Sequence, residues 1–150
     1  MHAGIAFFDN LVRTETRLYN VVAGRLQAEH GIGAGPLEFL RYLRDHPDAR
    51  VSDLATTFAV GIGTTSKAID RYEKQGWVIR KPHPANRRSS ILALTPAGRR
   101  LTDDADATFA AELADRLAGV LTAKELDAAT DALAKLRRSL EADGVGVPTG

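Results

Sequence analysis

Apolar residues recur at helical spacing along most of the chain. Over residues 8–26 they follow three- and four-residue steps with charged residues between them, which predicts a long amphipathic helix. The glycine-rich segment EHGIGAGP is expected to end this helix, and its proline, Pro36, is placed to open a second one. Three leucines on one side predict that this second helix continues from Leu37 to about Asp45.

Two short helical segments follow, joined by the sequence GIG. VSDLATTFAV predicts a helix of about two turns, and TTSKAIDRYEKQG predicts another that Gly76 closes. Together they form a helix-turn-helix, whose second helix presents its N-terminal residues to base edges in the DNA major groove. We expect Gly61 and Gly63 to give the turn unusual backbone dihedral angles and to let N–H groups face a phosphate. The predicted DNA-binding residues of this recognition helix are Thr64, Thr65, Ser66, Lys67 and Arg71.

The segments WVIRK and SILALT alternate in polarity on either side of a turn rich in Pro and Asn. They predict an antiparallel hairpin, which turns the helix-turn-helix into a winged helix. Cations concentrate at its tip, and the narrow minor groove attracts inserted arginine through its negative potential. The predicted DNA-binding residues of the wing are Arg80, Arg87, Arg88 and Ser89.

Two further helices are predicted after the hairpin. In TPAG, Thr95 caps a helix that runs from Ala97 to about Leu121, and Thr122 forms a capping box with Glu125 at the start of the last helix. The first helix and these two carry apolar stripes that a small domain does not easily bury alone. We therefore expect a homodimer, with an ordinary intramolecular bundle as the alternative.

These elements predict a mainly α fold with a small β-hairpin wing, a winged helix-turn-helix lobe plus terminal dimerisation helices. A length of 150 residues fits one domain. The DNA-binding lobe is expected over about 36–100 and the dimerisation helices over about 5–30 and 101–143. A loose tail is expected over 144–150.

The net charge of +1 conceals a strong asymmetry. Residues 61–100 hold nine Lys and Arg against two acidic residues, a net charge of +7, and the rest of the chain carries −6. A basic middle in an acidic remainder is typical of a surface that binds a polyanion. The predicted partner is double-stranded DNA.

The stretch from Asp53 to Gly98 resembles the MarR family of bacterial winged-helix transcription regulators. The resemblance rests on Leu54-Ala55 and on the segments DRYEKQG, NRR and LTPAG. It implies a two-fold dimer, knit together by the first and last helices, that docks on a pseudo-palindromic operator, usually as a repressor. It also matches Arg88 to the family's arginine that enters the minor groove. Asn86 stands where the family normally has an aspartate, so we expect a more positive wing tip.

The resemblance further implies that a small aromatic acid or phenol enters the cleft between the dimerisation helices and the winged lobe and releases DNA. Arg17 and His30 are the residues that would attract an anion there, with an ordinary surface or helix-end role as the alternative for each. No cofactor is expected. Without cysteine no thiol can sense oxidation, and the four histidines lack the paired spacing of metal ligands.

The N-terminal apolar stretch has no cationic leader and is interrupted by Asp9, which predicts a cytoplasmic protein without a membrane partner. An enzyme is not expected, because the sequence has no nucleophile elbow, no phosphate-binding glycine loop and no His-Glu metal helix. A winged-helix module that binds protein is the other alternative, and the basic segment opposes it.

Overall fold

The computed structural model describes residues 2–83 and 85–148, with the side chains of residues 86–88 outside that description. Over these residues the chain forms six α-helices and one antiparallel hairpin. The elements are α1 Ala3–His30, α2 Ala34–Asp45, α3 Val51–Phe58, α4 Ile62–Lys74, β1 Val78–His83, β2 Asn86–Leu94, α5 Pro96–Leu117 and α6 Ala123–Asp143. The predicted fold, mainly α with a hairpin wing, is confirmed.

Several helix ends differ from the prediction by a few residues. Gly31 ends α1 in the left-handed region at φ 66°, as glycine at this position favours. However, α2 begins at Ala34 and has Pro36 within its first turn. Helix α5 ends at Leu117, earlier than predicted, because the chain turns through Gly119 at φ 74°.

The turn between α3 and α4 does not use its glycines as expected. The left-handed residue is Ala59, with φ 51°, and its N–H donates to the carbonyls at the end of α3. Gly61 instead precedes α4 with an ordinary φ of −58°, and Gly63 lies inside the helix. The prediction of unusual dihedral angles at these two glycines is therefore wrong.

One hydrophobic core joins the winged lobe to α1 and α5. Its members come from seven of the eight elements and from the connecting loops, and the fully buried large side chains include Leu26, Leu37, Leu40, Leu54, Ile69 and Leu92. Aromatic rings extend this core, with Phe39 and Phe58 at a centroid distance of 5.2 Å. Because α3 and α4 share this core with α2, the recognition helix is held rigidly.

The wing is fastened to the lobe by backbone contacts. The N–H of Leu92 donates to the carbonyl of Ala49 at 2.8 Å, which ties β2 to the start of α3. At the start of α5 the hydroxyl of Thr95 accepts from the N–H of Gly98 at 2.9 Å. A Cβ at Gly98 would lie 2.1 Å from the carbonyl oxygen of Trp77, so only glycine fits there.

The two terminal helices are less buried than the lobe. Helix α5 packs along α1 and α2, and Arg25 pairs with Glu112 at 3.0 Å. The capping box of Thr122 and Glu125 is confirmed, but no residue of α6 is buried among the described residues. None of the described helices is both long and apolar enough to cross a membrane.

Candidate nucleic-acid interface

Helix α4 turns one polar face away from the core. Its buried residues are Thr65, Ala68, Ile69 and Tyr72. On the opposite side Thr64, Lys67 and Arg71 are exposed, and their spacing of three and four residues places them on one face. Neither Lys67 nor Arg71 forms an ion pair with any of the described residues, so both charges face solvent.

Thr65 does not share this face, which corrects its predicted DNA contact. Its side chain is fully buried, and its hydroxyl donates to the carbonyl of Gly61 at 2.9 Å. Thr65 lies three and four residues before Ala68 and Ile69, so it shares their buried face. Thr65 therefore has a structural role at the start of α4, whereas its neighbour Ser66 is half-buried at the edge of the exposed face.

Arg80 on β1 is bound by two carboxylates of α4. Its guanidinium donates to Asp70 at 2.6 Å and to Glu73 at 2.8 Å. These contacts join the wing to the recognition helix and partly neutralise the two acids in the basic segment. Because its own charge is balanced in the same way, Arg80 is better suited to positioning the wing than to binding a phosphate alone.

A groove of about 380 Å³ separates α4 from the wing and from the start of α3. It is lined by Arg50, Val51, Ser52, Ile62, Gly63, Ser66, Arg80, Ser89 and Ser90. Serine hydroxyls, arginine and the N–H groups at two helix N-termini are the groups that bind phosphate oxygens. The groove has the chemistry to hold a segment of DNA backbone beside the recognition helix.

Arg50 and Ser52 in this groove were not found from the sequence. Arg50 precedes α3, and its N–H donates to the carboxylate of Asp53 at 2.8 Å. The sequence does indicate this helix cap, because an acidic residue three positions after the N-cap residue is typical of one. Only the folded chain, however, shows that the start of α3 lies beside the wing.

The hairpin tip is irregular. The pairing runs regularly from Val78 with Leu94 to Pro82 with Ser90, and then passes to His83 with Asn86. The three residues between Asn86 and Ser90 therefore have no partners opposite them in that pairing. Of the predicted wing contacts, Ser89 lines the groove, while the side chains of Arg87 and Arg88 lie outside the described part of the chain.

Comparisons with known proteins support the fold and show what the chain is similar to. A family model described as "MarR family" matches residues 36–90. The chain is 26% identical over 142 residues to the HTH-type transcriptional regulator BilQ of Clostridium symbiosum (strain WAL-14163), covering 95% of this chain and 96% of that protein. Over these residues the chain is similar to the MarR family.

Two solved structures bound to DNA are also similar to this chain. Sco3205 of Streptomyces coelicolor, a MarR family regulator in complex with DNA, has a TM-score of 0.86 at 20% identity, over 99% of this chain and 94% of that one. The transcriptional repressor CouR, bound to a 23-mer duplex, has a TM-score of 0.80 at 26% identity, over 91% and 92%. The relative and both structures are described as transcriptional regulators, and both structures contain DNA.

The chain also has a cavity of about 340 Å³ that shares no lining residue with the groove beside α4. Its walls come from α1, α2, α5 and α6 and consist of Leu11, Thr14, Glu15, Leu18, Tyr19, Val22, Glu38, Phe109, Leu113 and Leu133. Burial raises the pKa of Glu38, and Arg41 opposes this shift. The pKa of Tyr19 is also raised, first by burial and then by the charge of Glu38.

The two residues predicted to attract an effector do not line this cavity. Arg17 donates to the carbonyl of Arg13 on the exposed side of α1. The ring of His30 is hydrogen-bonded to the hydroxyl of Thr108 at 2.7 Å, where it joins the end of α1 to α5. Neither residue therefore lines this cavity, although Arg17 lines a neighbouring pocket with Thr14 and Leu18. Their role as effector contacts stays a prediction.

Proposed function

We propose that the protein is a homodimeric repressor that binds a pseudo-palindromic operator and is released from it by a small ligand. Thr64, Lys67 and Arg71 read base edges in the major groove. Ser66, Ser89 and Arg50 bind the adjoining phosphates. Arg87 and Arg88 carry the wing's charge toward the minor groove, with the DNA-binding lobe over about 36–100.

The observation that carries this proposal is the exposed face of α4 beside the polar groove. A face of Thr64, Lys67 and Arg71 offers both short and long hydrogen-bonding side chains to the major groove. The groove next to it offers hydroxyls and the guanidinium of Arg50. Base-reading and phosphate-binding groups therefore lie side by side, as specific DNA recognition requires.

Exposed apolar side chains on the terminal helices support the homodimer. Ile5, Phe8 and Val12 of α1 are exposed by 60%, 65% and 43%. On α6 the exposed stripe consists of Leu126, Leu133, Leu136 and Leu140. An apolar surface of this extent typically indicates a protein contact, and a second copy of the chain would cover both stripes by symmetry.

A groove beside α6 is suited to a helix of the second copy. It has a volume of about 570 Å³ and is lined mainly by Leu11, Leu133, Leu136 and Leu140. We propose that the dimerisation helices, over about 5–30 and 101–143, pack into such grooves reciprocally. The two recognition helices then face DNA at a fixed separation.

Selection of genomic DNA tests the operator. Purified protein is mixed with fragments of its own genome, and the retained fragments are sequenced. We expect one enriched sequence with two-fold symmetry and half-sites one helical turn apart, about 10 base pairs. Retention of fragments without a shared sequence would contradict specific recognition and leave only binding through phosphates.

A reporter gene tests the direction of regulation. With the enriched operator placed across a promoter, expression of the protein is expected to lower transcription, and a variant with Lys67→Ala and Arg71→Ala is expected to restore it. Higher transcription with the wild-type protein would identify an activator. If the double variant still represses transcription, residues other than Lys67 and Arg71 read the bases.

A further inference from the structure

The cavity between α1, α2 and α5 carries an unusual charge for an apolar site. Eight of its ten lining residues are uncharged, and the two charged ones are Glu15 and Glu38. No lysine or arginine lines it. Neither glutamate forms an ion pair with any residue that the structure describes.

We infer that this cavity binds a small organic cation, an aromatic or aliphatic body with one ammonium or amidinium group held by Glu15 and Glu38. The regulatory part of this inference, that binding of the cation releases DNA, rests on the proposed function. The ligand class itself depends only on the cavity.

The size and walls of the cavity suit such a ligand. Pockets for small molecules measure roughly 300–1,000 Å³ and combine apolar walls with a few polar groups, and this cavity has about 340 Å³. Leu18, Val22 and Leu113 form apolar wall, and the ring of Phe109 adds an aromatic surface. Aromatic faces attract cations as well as apolar groups.

Arg41, whose charge acts on Glu38, does not itself line the cavity. Arg41 lies with its guanidinium carbon 4.7 Å from the centre of the Phe109 ring and pairs with Asp106 at 2.7 Å. It thus balances a charge on α5 and is absent from the cavity wall. An aromatic acid would meet two carboxylates there without a compensating cation, and like charges brought together oppose binding.

The environment of Glu38 also favours a bound cation. Its pKa is raised by burial first, and the charge of Glu15 raises it further, while Arg41 lowers it. A carboxylate that is costly to ionise beside a second carboxylate gains most from a cation between them. The same arrangement weakens the binding of any anion.

Three ligands that share one aromatic body test the charge preference. 2-Naphthylmethylammonium, 2-naphthylmethanol and 2-naphthoate are titrated into the full-length protein by calorimetry. We expect the ammonium compound to bind about tenfold more tightly than the alcohol, with the carboxylate weakest. Tighter binding of the carboxylate than of the ammonium compound would overturn the inference.

Charge-removing variants locate the binding group. Glu38→Gln and Glu15→Gln keep the side-chain shape, and each is expected to weaken the ammonium compound about fivefold while changing the affinity of the alcohol by less than about twofold. Asp104→Asn removes the same charge from an exposed position on α5 outside the cavity and should change neither affinity. If the glutamine variants lose no affinity for the ammonium compound, or lose it equally for the alcohol, the inference is wrong.

The same titrations separate this inference from the proposed function. The ammonium compound should also weaken binding of the enriched operator, and Glu38→Gln should bind that operator normally without ligand. If none of the three ligands binds a protein that still binds its operator, the cavity is not a ligand site and the DNA-binding proposal stands. If the ammonium compound binds with the expected dependence on the glutamates but leaves operator binding unchanged, the ligand class stands and release of DNA by this ligand is wrong.

Discussion

Neighbouring residues on α4 have opposite roles, which a matched pair of substitutions separates. Thr65→Val keeps the shape of a buried side chain but removes its hydrogen bond to Gly61. We expect it to lower the free energy of unfolding by about 1 kcal/mol and to change operator affinity little. Lys67→Ala should leave stability unchanged and cost ~1–3 kcal/mol at the operator if Lys67 reads a base.

Chemical denaturation and fluorescence anisotropy on operator and random DNA measure the two effects. An equal loss of affinity for both DNAs in Lys67→Ala would assign Lys67 to a phosphate. A loss of operator binding in a stably folded Thr65→Val variant would show that Thr65 contacts DNA.

The negative charge of Glu38 opposes folding. Burial raises its pKa in the folded protein, so the unfolded chain releases this proton more readily. Stability therefore falls as pH rises above the ordinary glutamate pKa of about 4.3. Glu38→Gln should raise the free energy of unfolding at pH 7 by up to about 1 kcal/mol, since partial exposure limits the effect.

At pH 4 this difference should be much smaller, because Glu38 is then mostly protonated in both states. Thermal unfolding at pH 4 and pH 7 measures it, with Asp104→Asn as the control that should show no comparable gain. A Glu38→Gln variant that is less stable at pH 7 than the wild type would show that the carboxylate stabilises the fold.

At the scale of elements, Arg80 couples the wing to the recognition helix. Arg80→Gln should weaken operator binding about tenfold or more, because it loosens the wing and leaves Asp70 and Glu73 unneutralised near phosphates. Adding Asp70→Asn and Glu73→Gln to this variant should recover part of the affinity. If these two substitutions recover none of it, Arg80 contacts DNA directly.

Substitutions at the wing tip test whether the wing enters the minor groove. If Arg88 enters the minor groove at each half-site, Arg88→Ala should weaken operator binding and lower the salt slope by about two per dimer. Arg87→Ala is expected to matter less. The comparison is made by anisotropy at several salt concentrations, and Arg88 would lose this role if its variant kept both affinity and slope while Arg87→Ala lost them.

Sequence periodicity predicted the elements well because each segment's apolar spacing and caps are local. The order of helices, the hairpin and the capping box at Thr122 needed no knowledge of distant contacts. Thr65 was misplaced because the first residues of the recognition helix were assigned to DNA as a group, although the spacing of Thr65 from Ala68 and Ile69 puts it on the buried face. The groove with Arg50 and the acidic cavity could not be predicted from the sequence, because each is formed by elements that are distant along the chain.

The irregular hairpin tip also prevents a prediction from strand alternation of which wing arginine contacts DNA. Alternation of side chains along a strand would distinguish Arg87 from Arg88 in a regular hairpin. The pairing instead passes from Pro82 with Ser90 to His83 with Asn86, so alternation does not apply to the residues between. The greater importance of Arg88 therefore depends on the resemblance to the family and on the experiment above.

At the scale of the whole molecule, the winged lobe is well packed while α6 has no buried residue in the described chain. The lobe has its own core, but α6 has only solvent against much of its leucine stripe. A single chain in this form would expose apolar surface on both terminal helices. Dimer formation would therefore complete the fold and also set the distance between recognition helices.

Leu133→Asp with Leu136→Asp tests this dependence. Both leucines are exposed by 41%, and a dimer interface would bury the two new carboxylates without partners, so we expect monomers or unfolded protein at micromolar concentration. Lys135→Asp with Arg138→Asp is the control, because at 100° per residue these positions lie on the opposite face of α6, and this variant should remain dimeric. Sedimentation measures both. A folded Leu133→Asp, Leu136→Asp protein that stays dimeric would place the interface elsewhere, and a monomeric control would show that α6 responds to added charge on any face.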